Sequence, residues 1–392
     1  MKTLVRGATA LTLALASASS LADLYDARSG ARAGTGQTMG DHAYISGNPA
    51  LLGRSGQGRV AVALNAGVLL SDREQALDLV DELDEDIERL DEIVNEGGGT
   101  QSERDALADS ILKGLEGLDD SLIQVNGGGI LGVGVPGSPG IPLGVVIRRD
   151  IRVGVRTLFS EDDRELLEEV KNGQPFAEGD VQSELSSSAV DISELSLMGA
   201  KTLSLAGFDD VHLGAALKFQ TIELIDYRRS LPDFEGDDII DDSDNSREHS
   251  NLNVDLGIYK SFGVFSGAAM VRNLIPRSFS GPNHSYSMRP EIEVAGGADF
   301  GLLKAEAGID LTPAKGYGDL EDTQFMRIGA EVGLRRVGQL RAGYRIDMLD
   351  NVAPVFTAGI GISPMGVVNL DLAVMTGEGD TFGAAVQLGT SF

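Results

Sequence analysis

From about residue 57 to the carboxyl terminus, apolar and polar residues alternate with a period of two, the pattern of strands that have one greasy and one wet face. In 323–335, Met326, Ile328, Ala330, Val332 and Leu334 share one face, and Arg327, Gly329, Glu331, Gly333 and Arg335 share the other. The stretch 339–347 sets Leu340, Ala342, Tyr344 and Ile346 against Gln339, Arg341, Gly343, Arg345 and Asp347. Likewise Leu303, Ala305, Ala307, Ile309 and Leu311 oppose Lys304, Glu306, Gly308 and Asp310, and Leu252, Val254, Leu256 and Ile258 oppose Asn251, Asn253, Asp255 and Gly257. Charges keep to one face. In a soluble sandwich that face would be the outside; in a transmembrane barrel it would line the lumen while the apolar face met lipid. Alternation alone fits both.

Connection lengths separate the two. The pattern predicts about fourteen strands, near 57–70, 121–135, 143–159, 190–206, 210–229, 249–262, 264–274, 286–299, 301–312, 323–335, 337–348, 354–363, 367–376 and 381–392. Longer links (71–120, 160–189, 230–248, 275–285, 313–322) take turns with shorter ones such as 136–142, Phe262-Gly263, Phe300-Gly301, Arg336 and 364–366. Short periplasmic turns, long outer loops and an even strand count that returns both termini to one side are the arrangement of an outer-membrane barrel. A sandwich has no reason to obey that parity. The expected fold is therefore all-β, a transmembrane antiparallel barrel over 57–392, with a soluble secreted β-sandwich as the runner-up.

Two segments break the pattern. Between the first two strands, 72–120 reads as a helical hairpin. A capping box of Ser71 and Glu74 precedes Ala76, Val80, Leu83, Ile87, Leu90 and Val94, and a second box of Thr100 and Glu103 precedes Leu107, Ile111, Leu115 and Leu118. The two stripes are expected to seal one another, and a shorter helix is expected over 162–171. At the amino terminus, Lys2 and Arg6 precede the apolar run 8–16 and the small-residue site Ser20-Leu21-Ala22, so residues 1–22 are expected to be a secretory signal peptide cut before Asp23.

Composition narrows the chemistry. At 42% hydrophobic the 392-residue chain can bury a core, and its formal charge of −28 opposes binding to phosphate backbones, so no direct nucleic-acid contact is expected. Cysteine is absent, which excludes disulfides, thiolate nucleophiles and cysteine zinc sites. His42, His212, His249 and His284 show no metal-ligand or nucleophile-elbow spacing, so no catalytic residue, metal or cofactor is expected. The acidic loop 233–244 lacks the calcium-loop spacing and reads as solvated. With no Trp and 5% aromatics, any interfacial girdle must rest on residues such as Phe219, Tyr227, Tyr259, Phe325 and Tyr344.

The final strand puts Phe382, Ala384, Val386, Leu388, Thr390 and Phe392 on one face. This resembles the carboxyl-terminal signal read by the bacterial barrel-assembly machinery, with Phe382, Val386, Leu388 and Phe392 as its apolar positions. Residues 29–53, SGARAGTGQTMGDHAYISGNPALLG, resemble the N-terminal segment of FadL-type outer-membrane transporters, whose Asn-Pro-Ala motif sits in a plug inside the barrel; here it is Asn48-Pro49-Ala50. The segments LKFQTIELIDY (217–227), NLNVDLGIY (251–259), VRNLIP (271–276) and YSMRPEIEVAGG (286–297), with RIGAEVGL and LRAGYR, resemble TraF-type conjugal transfer proteins.

The resemblance implies a plug over 23–56 and a non-enzymatic protein of the bacterial outer membrane. Its partners would be outer-membrane lipid, the assembly machinery and conjugation or secretion components. The alternative is passive passage of a hydrophobic ligand. Lys304, Glu306, Asp310, Arg327, Glu331, Arg335, Arg341 and Arg345, all on polar faces, are expected to line the lumen as an interior salt-bridge ladder.

Overall fold

The computed structural model describes residues 22–39, 47–54, 60–96, 99–136, 141–205, 207–231, 245–334, 338–363 and 368–392. Most of residues 1–22, the loop 233–244, Arg335 and His42 therefore lie outside the described residues. The chain begins with two one-turn helices, α1 (Ala22–Tyr25) and α2 (Ala27–Gly30), and a 3-10 turn, Pro49–Arg54. The strands follow: β1 (Ala61–Asp72), β2 (Leu122–Val135), β3 (Leu143–Leu158), β4 (Glu184–Leu205), β5 (Phe208–Ser230), β6 (Ser246–Phe262), β7 (Phe265–Arg272), β8 (Arg277–Ser280), β9 (Ser285–Met288), β10 (Glu291–Asp299), β11 (Leu303–Asp310), β12 (Phe325–Leu334), β13 (Gly338–Asp347), β14 (Val355–Ile362), β15 (Val368–Gly377) and β16 (Phe382–Ser391). All but β8 and β9 pair with their neighbours in antiparallel register, and β1 pairs with β16, so fourteen strands close into a barrel without a free sheet edge.

Each expected strand has a counterpart, with one correction. The segment 286–299, read as a single strand, is cut at Pro290: Ser285–Met288 pairs with β8 as a separate hairpin, and only Glu291–Asp299 enters the wall. Proline has no N–H for a ladder and restricts the residue before it. In addition, β4 begins at Glu184 rather than near 190.

The alternating faces divide as the pattern requires. Leu252, Leu256, Met326, Ile328, Val332, Leu340, Ile360 and Leu372 are exposed outward, whereas Asn251, Asn253, Asp255, Glu306, Arg327 and Arg341 are buried inward. Aromatic rings cluster at the ends of this apolar band. Phe208, Phe262, Phe265, Phe300 and Phe392 are exposed at the short-turn end, and Phe356 and Phe382 at the long-loop end. Of the five aromatics singled out from sequence, Phe219 is exposed and Tyr344 packs on Phe356 with ring centroids 4.5 Å apart. The other three correct the expectation: Tyr259 and Phe325 point into the barrel, and Tyr227 is buried against Val153, Leu185 and Ala189.

The long-loop end carries the helices. α3 (Ala76–Glu96), α4 (Gln101–Leu118) and α5 (Glu161–Lys171) share one apolar core of Val80, Leu83, Leu90, Ile111, Leu115, Leu118, Leu167 and Val170, so the expected hairpin is a three-helix unit. α3 is capped by Asp72, whose carboxylate accepts from the amides of Ala76 and Leu77, both at 2.9 Å. Ser71, the expected cap, instead belongs to β1 and bonds Thr381.

The Thr100–Glu103 box closes in both directions, and the Thr100 amide and hydroxyl hold the Glu103 carboxyl below its usual range. That contribution is present above the ordinary carboxylate pKa and is lost as pH falls through the lowered one. Thr100→Ala is expected to destabilise α4 by about 1 kcal/mol, seen as faster amide exchange in 101–118 with the barrel strands unchanged.

Candidate functional site: the occupied lumen

The polar interior of the barrel is filled from within the chain. α1 and α2 lie against the inner wall, with Leu24, Tyr25, Ala27 and Ala31 packed on Leu69, Phe325, Val355, Ala373, Met375 and Ala385. Asp26 caps α2 by accepting from the amides of Arg28 and Ser29 at 3.0 and 3.1 Å. The backbone then turns through Ala33 (φ 60°) and Gly34 (φ 87°) so that successive N–H groups face the wall.

Those N–H groups converge on one side chain. The Glu306 carboxylate, 2% exposed, accepts from the amides of Gly36, Gln37, Thr38 and Met39 at 2.8–2.9 Å and from the Thr38 hydroxyl at 2.7 Å. Consecutive amides around a carboxylate form an anion nest, here with the anion supplied by the wall and the nest by the N-terminal segment. Among the described residues Glu306 therefore meets backbone amides and a hydroxyl rather than a salt-bridge ladder, which corrects the sequence-based expectation for that residue.

The remaining expected lumen residues sort by depth. Arg327 holds Asp310 through two bonds of 2.6 and 3.0 Å, and Arg341 bridges Glu331 and Asp371, both at 2.7 Å. The N-terminal segment joins this network through Arg28, 2.9 Å from Asp371, and Arg32, 3.5 Å from Glu331. Arg345 departs from the ladder: it stacks over the Phe325 ring at 4.2 Å, and its Nε has no hydrogen-bond partner among the described residues. Lys304 also departs, standing partly exposed at the short-turn end, 3.4 Å from Asp299.

Asp371, Glu293, Arg28 and Arg32 were missed in the sequence, as was a second cluster of Lys218 with Glu194 at 2.9 Å and Asp255 at 3.2 Å. The same alternation could have found three of them, since Asp371 stands between Leu370 and Leu372, Glu293 between Ile292 and Val294, and Lys218 between Leu217 and Phe219.

The Asn-Pro-Ala motif binds to the wall by backbone contact. Asn48 Oδ1 accepts from the Ala50 amide at 2.9 Å, and Nδ2 donates to the carbonyls of Ile258 and Ala269 at 3.3 and 3.4 Å. Such an approach requires glycine opposite it. A Cβ on Gly257 would lie 1.9 Å from Asn48 Oδ1, and one on Gly214 would lie 2.3 Å from the Ala50 nitrogen. Gly128 faces the Tyr25 ring in the same way. Gly257→Val is expected to force the motif off the wall at a cost of about 1–3 kcal/mol, whereas Gly296→Ala, where a Cβ meets open space, should be neutral. Thermal midpoints of the purified variants check both.

What space remains is small at one end and larger at the other. Beneath the long-loop mouth is a cavity of about 20 Å3 lined by Leu69, Ser71, Asn126, Arg152, Phe325 and Arg345, enough for about one water. At the short-turn end a cavity of about 320 Å3 lies between Met39, Arg54, His212, Tyr259 and Lys304. Among the described residues, no group of three His, Asp or Glu side chains is placed to hold a metal ion.

At the carboxyl terminus, Phe382, Val386, Leu388 and Phe392 are all turned outward. The fold is similar to that of the Ralstonia pickettii toluene transporter TbuX, at 12% identity over 92% of this chain and 95% of that one, with a TM-score of 0.52. A deletion mutant of the monoaromatic hydrocarbon channel TodX aligns at 12% identity over 91% of this chain and 95% of that one, with a TM-score of 0.46. A search of curated protein sequences found no match. The family model described as F plasmid transfer operon, TraF, protein matches residues 45–310, more than half of the chain, and the protein belongs to that family.

Proposed function

We propose that this protein is an outer-membrane barrel, kept shut by its own N-terminal segment, that serves a structural or accessory role in plasmid conjugation or export. In this reading the outward apolar faces meet lipid, the turn end faces the periplasm and the helical unit projects outside the cell. Residues 23–56 act as the plug, with Asn48-Pro49-Ala50 as one anchor and Glu306 as another; Asp310, Arg327, Glu331 and Arg341 hold the lumen shut, and Phe382, Val386, Leu388 and Phe392 address the chain to the assembly machinery.

The observation that carries the reading is the clamp of four consecutive amides on a buried wall carboxylate, which gives the N-terminal segment a built seat inside the barrel. Membership of the conjugal transfer family supports the process. Deleting the gene should lower plasmid transfer frequency while the protein itself fractionates with outer membranes and changes gel mobility on heating. Unchanged transfer would remove the conjugative role, and a soluble, heat-insensitive product would remove the barrel role as well.

A second reading, passive passage of a hydrophobic small molecule, is favoured by the likeness to the toluene transporter fold. It requires the N-terminal segment to move. Toluene uptake by cells that carry or lack the chain separates the readings, because only this one predicts a difference.

A further inference from the structure

The wall is uneven at the long-loop end. Residues Ser246–Asp255 of β6 pair with β5 but stand above the top of β7, which takes up pairing only from Leu256. The β8–β9 hairpin covers that upper edge without joining the sheet. Ile275 and Asn253 exchange two bonds, Arg277 reaches the Ser250 carbonyl at 3.2 Å, and His249 bonds the Ser280 carbonyl at 2.9 Å. Pro276 immediately precedes the hairpin and Pro290 closely follows it.

Beside it, the loop 313–322 turns inward. Phe279, Tyr286 and Met288 of the hairpin and Tyr317 and Leu320 of the loop form one buried cluster with Val190, Ile192, Ile222 and Leu224 on the inner face of β4 and β5. This cluster lies across the mouth, and Leu320 forms part of the ceiling of the small cavity below.

Both pieces are fastened to the same wall residue. Asp226, 3% exposed, accepts from the Tyr317 hydroxyl at 2.6 Å on the loop. From the hairpin turn it accepts the Asn283 amide at 2.9 Å and the His284 amide at 3.3 Å, and it meets the His284 ring nitrogen at 3.1 Å. An isolated two-stranded hairpin is marginal in water and needs a docking surface. Here that surface is apolar packing, the Asp226 carboxylate and side-chain bonds through Arg152, His249 and Arg277, with no ladder bonds between hairpin and barrel wall among the described residues.

We propose that the β8–β9 hairpin and the loop 313–322 form a two-part lid over the long-loop mouth, hinged at Pro276 and Pro290 and latched on Asp226. The hairpin swings as a unit because its internal pairing is independent of the wall. The inference rests on barrel geometry and not on the conjugative or transport reading, and its test uses purified full-length protein in detergent micelles.

Because the chain has no cysteine, Ser71→Cys places a single thiol in the cavity beneath the lid, at a position 8% exposed. Labelling by a methanethiosulfonate reagent then reports opening. Asp226→Ala should raise the labelling rate at least tenfold, since four donors lose their acceptor and about 1.4 kcal/mol is already a factor of ten. Joining hairpin to wall with a short bifunctional maleimide between Asn251→Cys and Met288→Cys, where the native Nδ2 and Sδ atoms are 3.4 Å apart, should suppress labelling. Heat-dependent gel mobility checks that each variant retains the barrel. Equal labelling rates with and without the Asp226 carboxylate, or labelling that the cross-link does not slow, would overturn the lid.

Discussion

Replacing Glu306 with alanine is expected to release the N-terminal segment from the lumen while leaving the wall paired. The substitution strips acceptors from four backbone amides and one hydroxyl, all buried or nearly so. Each orphaned buried donor costs about 1–3 kcal/mol, so the loss is on the order of 4 kcal/mol or more unless the segment leaves and its amides find water. Leaving is therefore the cheaper outcome. Limited proteolysis of the folded barrel should cut the segment near residues 36–39 in Glu306→Ala and spare it in the parent. Glu306→Gln keeps one carbonyl acceptor and should fall between them. Equal protection in all three proteins would mean that the apolar contacts of Leu24 and Tyr25 hold the segment without the clamp.

Ile328→Arg is expected to cost more than about 1 and up to about 4 kcal/mol when the barrel is folded in lipid bilayers, the penalty of a cation facing hydrocarbon. Ile328 is 57% exposed on the outer face, with Met326 and Val332 beside it on the same strand. Leu334→Arg, at the short-turn end of that strand, should cost at most about 1 kcal/mol, because the side chain can reach water. Urea titrations in bilayers measure both. A barrel that stands in water would show neither the penalty nor its dependence on depth.

The wall was readable because its signal is periodic and local. Each strand needs only a two-residue repeat and a turn at either end, so its position follows from the neighbours of each residue. The failures were of another kind. Pro290 ends one pairing and begins another, and the choice between hairpin and wall depends on the rising edge of β6, which no local pattern encodes. Phe325 and Ile328 are both apolar in one strand, yet they face opposite ways because Phe325 falls on the charged parity and packs on the N-terminal helices.

The lumen was half legible. Alternation pointed Glu306, Arg327 and Arg341 inward, but their partners come from segments far away in sequence. That Glu306 would meet amides rather than an arginine depended on the path of residues 36–39. The glycines were the least legible part. Gly257 and Gly308 both fall on the polar parity of their strands, and only the approach of Asn48 to the first tells a required glycine from one where an added Cβ would make ordinary contacts.

The seat of the N-terminal segment also fixes an order of events. Arg28 is held by Asp371, Ala33 by Thr357, and residues 36–39 by Glu306, so this early part of the chain finds its polar anchors on strands synthesised much later. Until β11, β14 and β15 exist, Asn48 can dock on β6 and β7 but residues 28–39 lack the wall side chains that hold them, and loops spanning most of the chain must close before those contacts repay them. A chain interrupted after β9 would lack not only its remaining wall but also the means of filling the space inside.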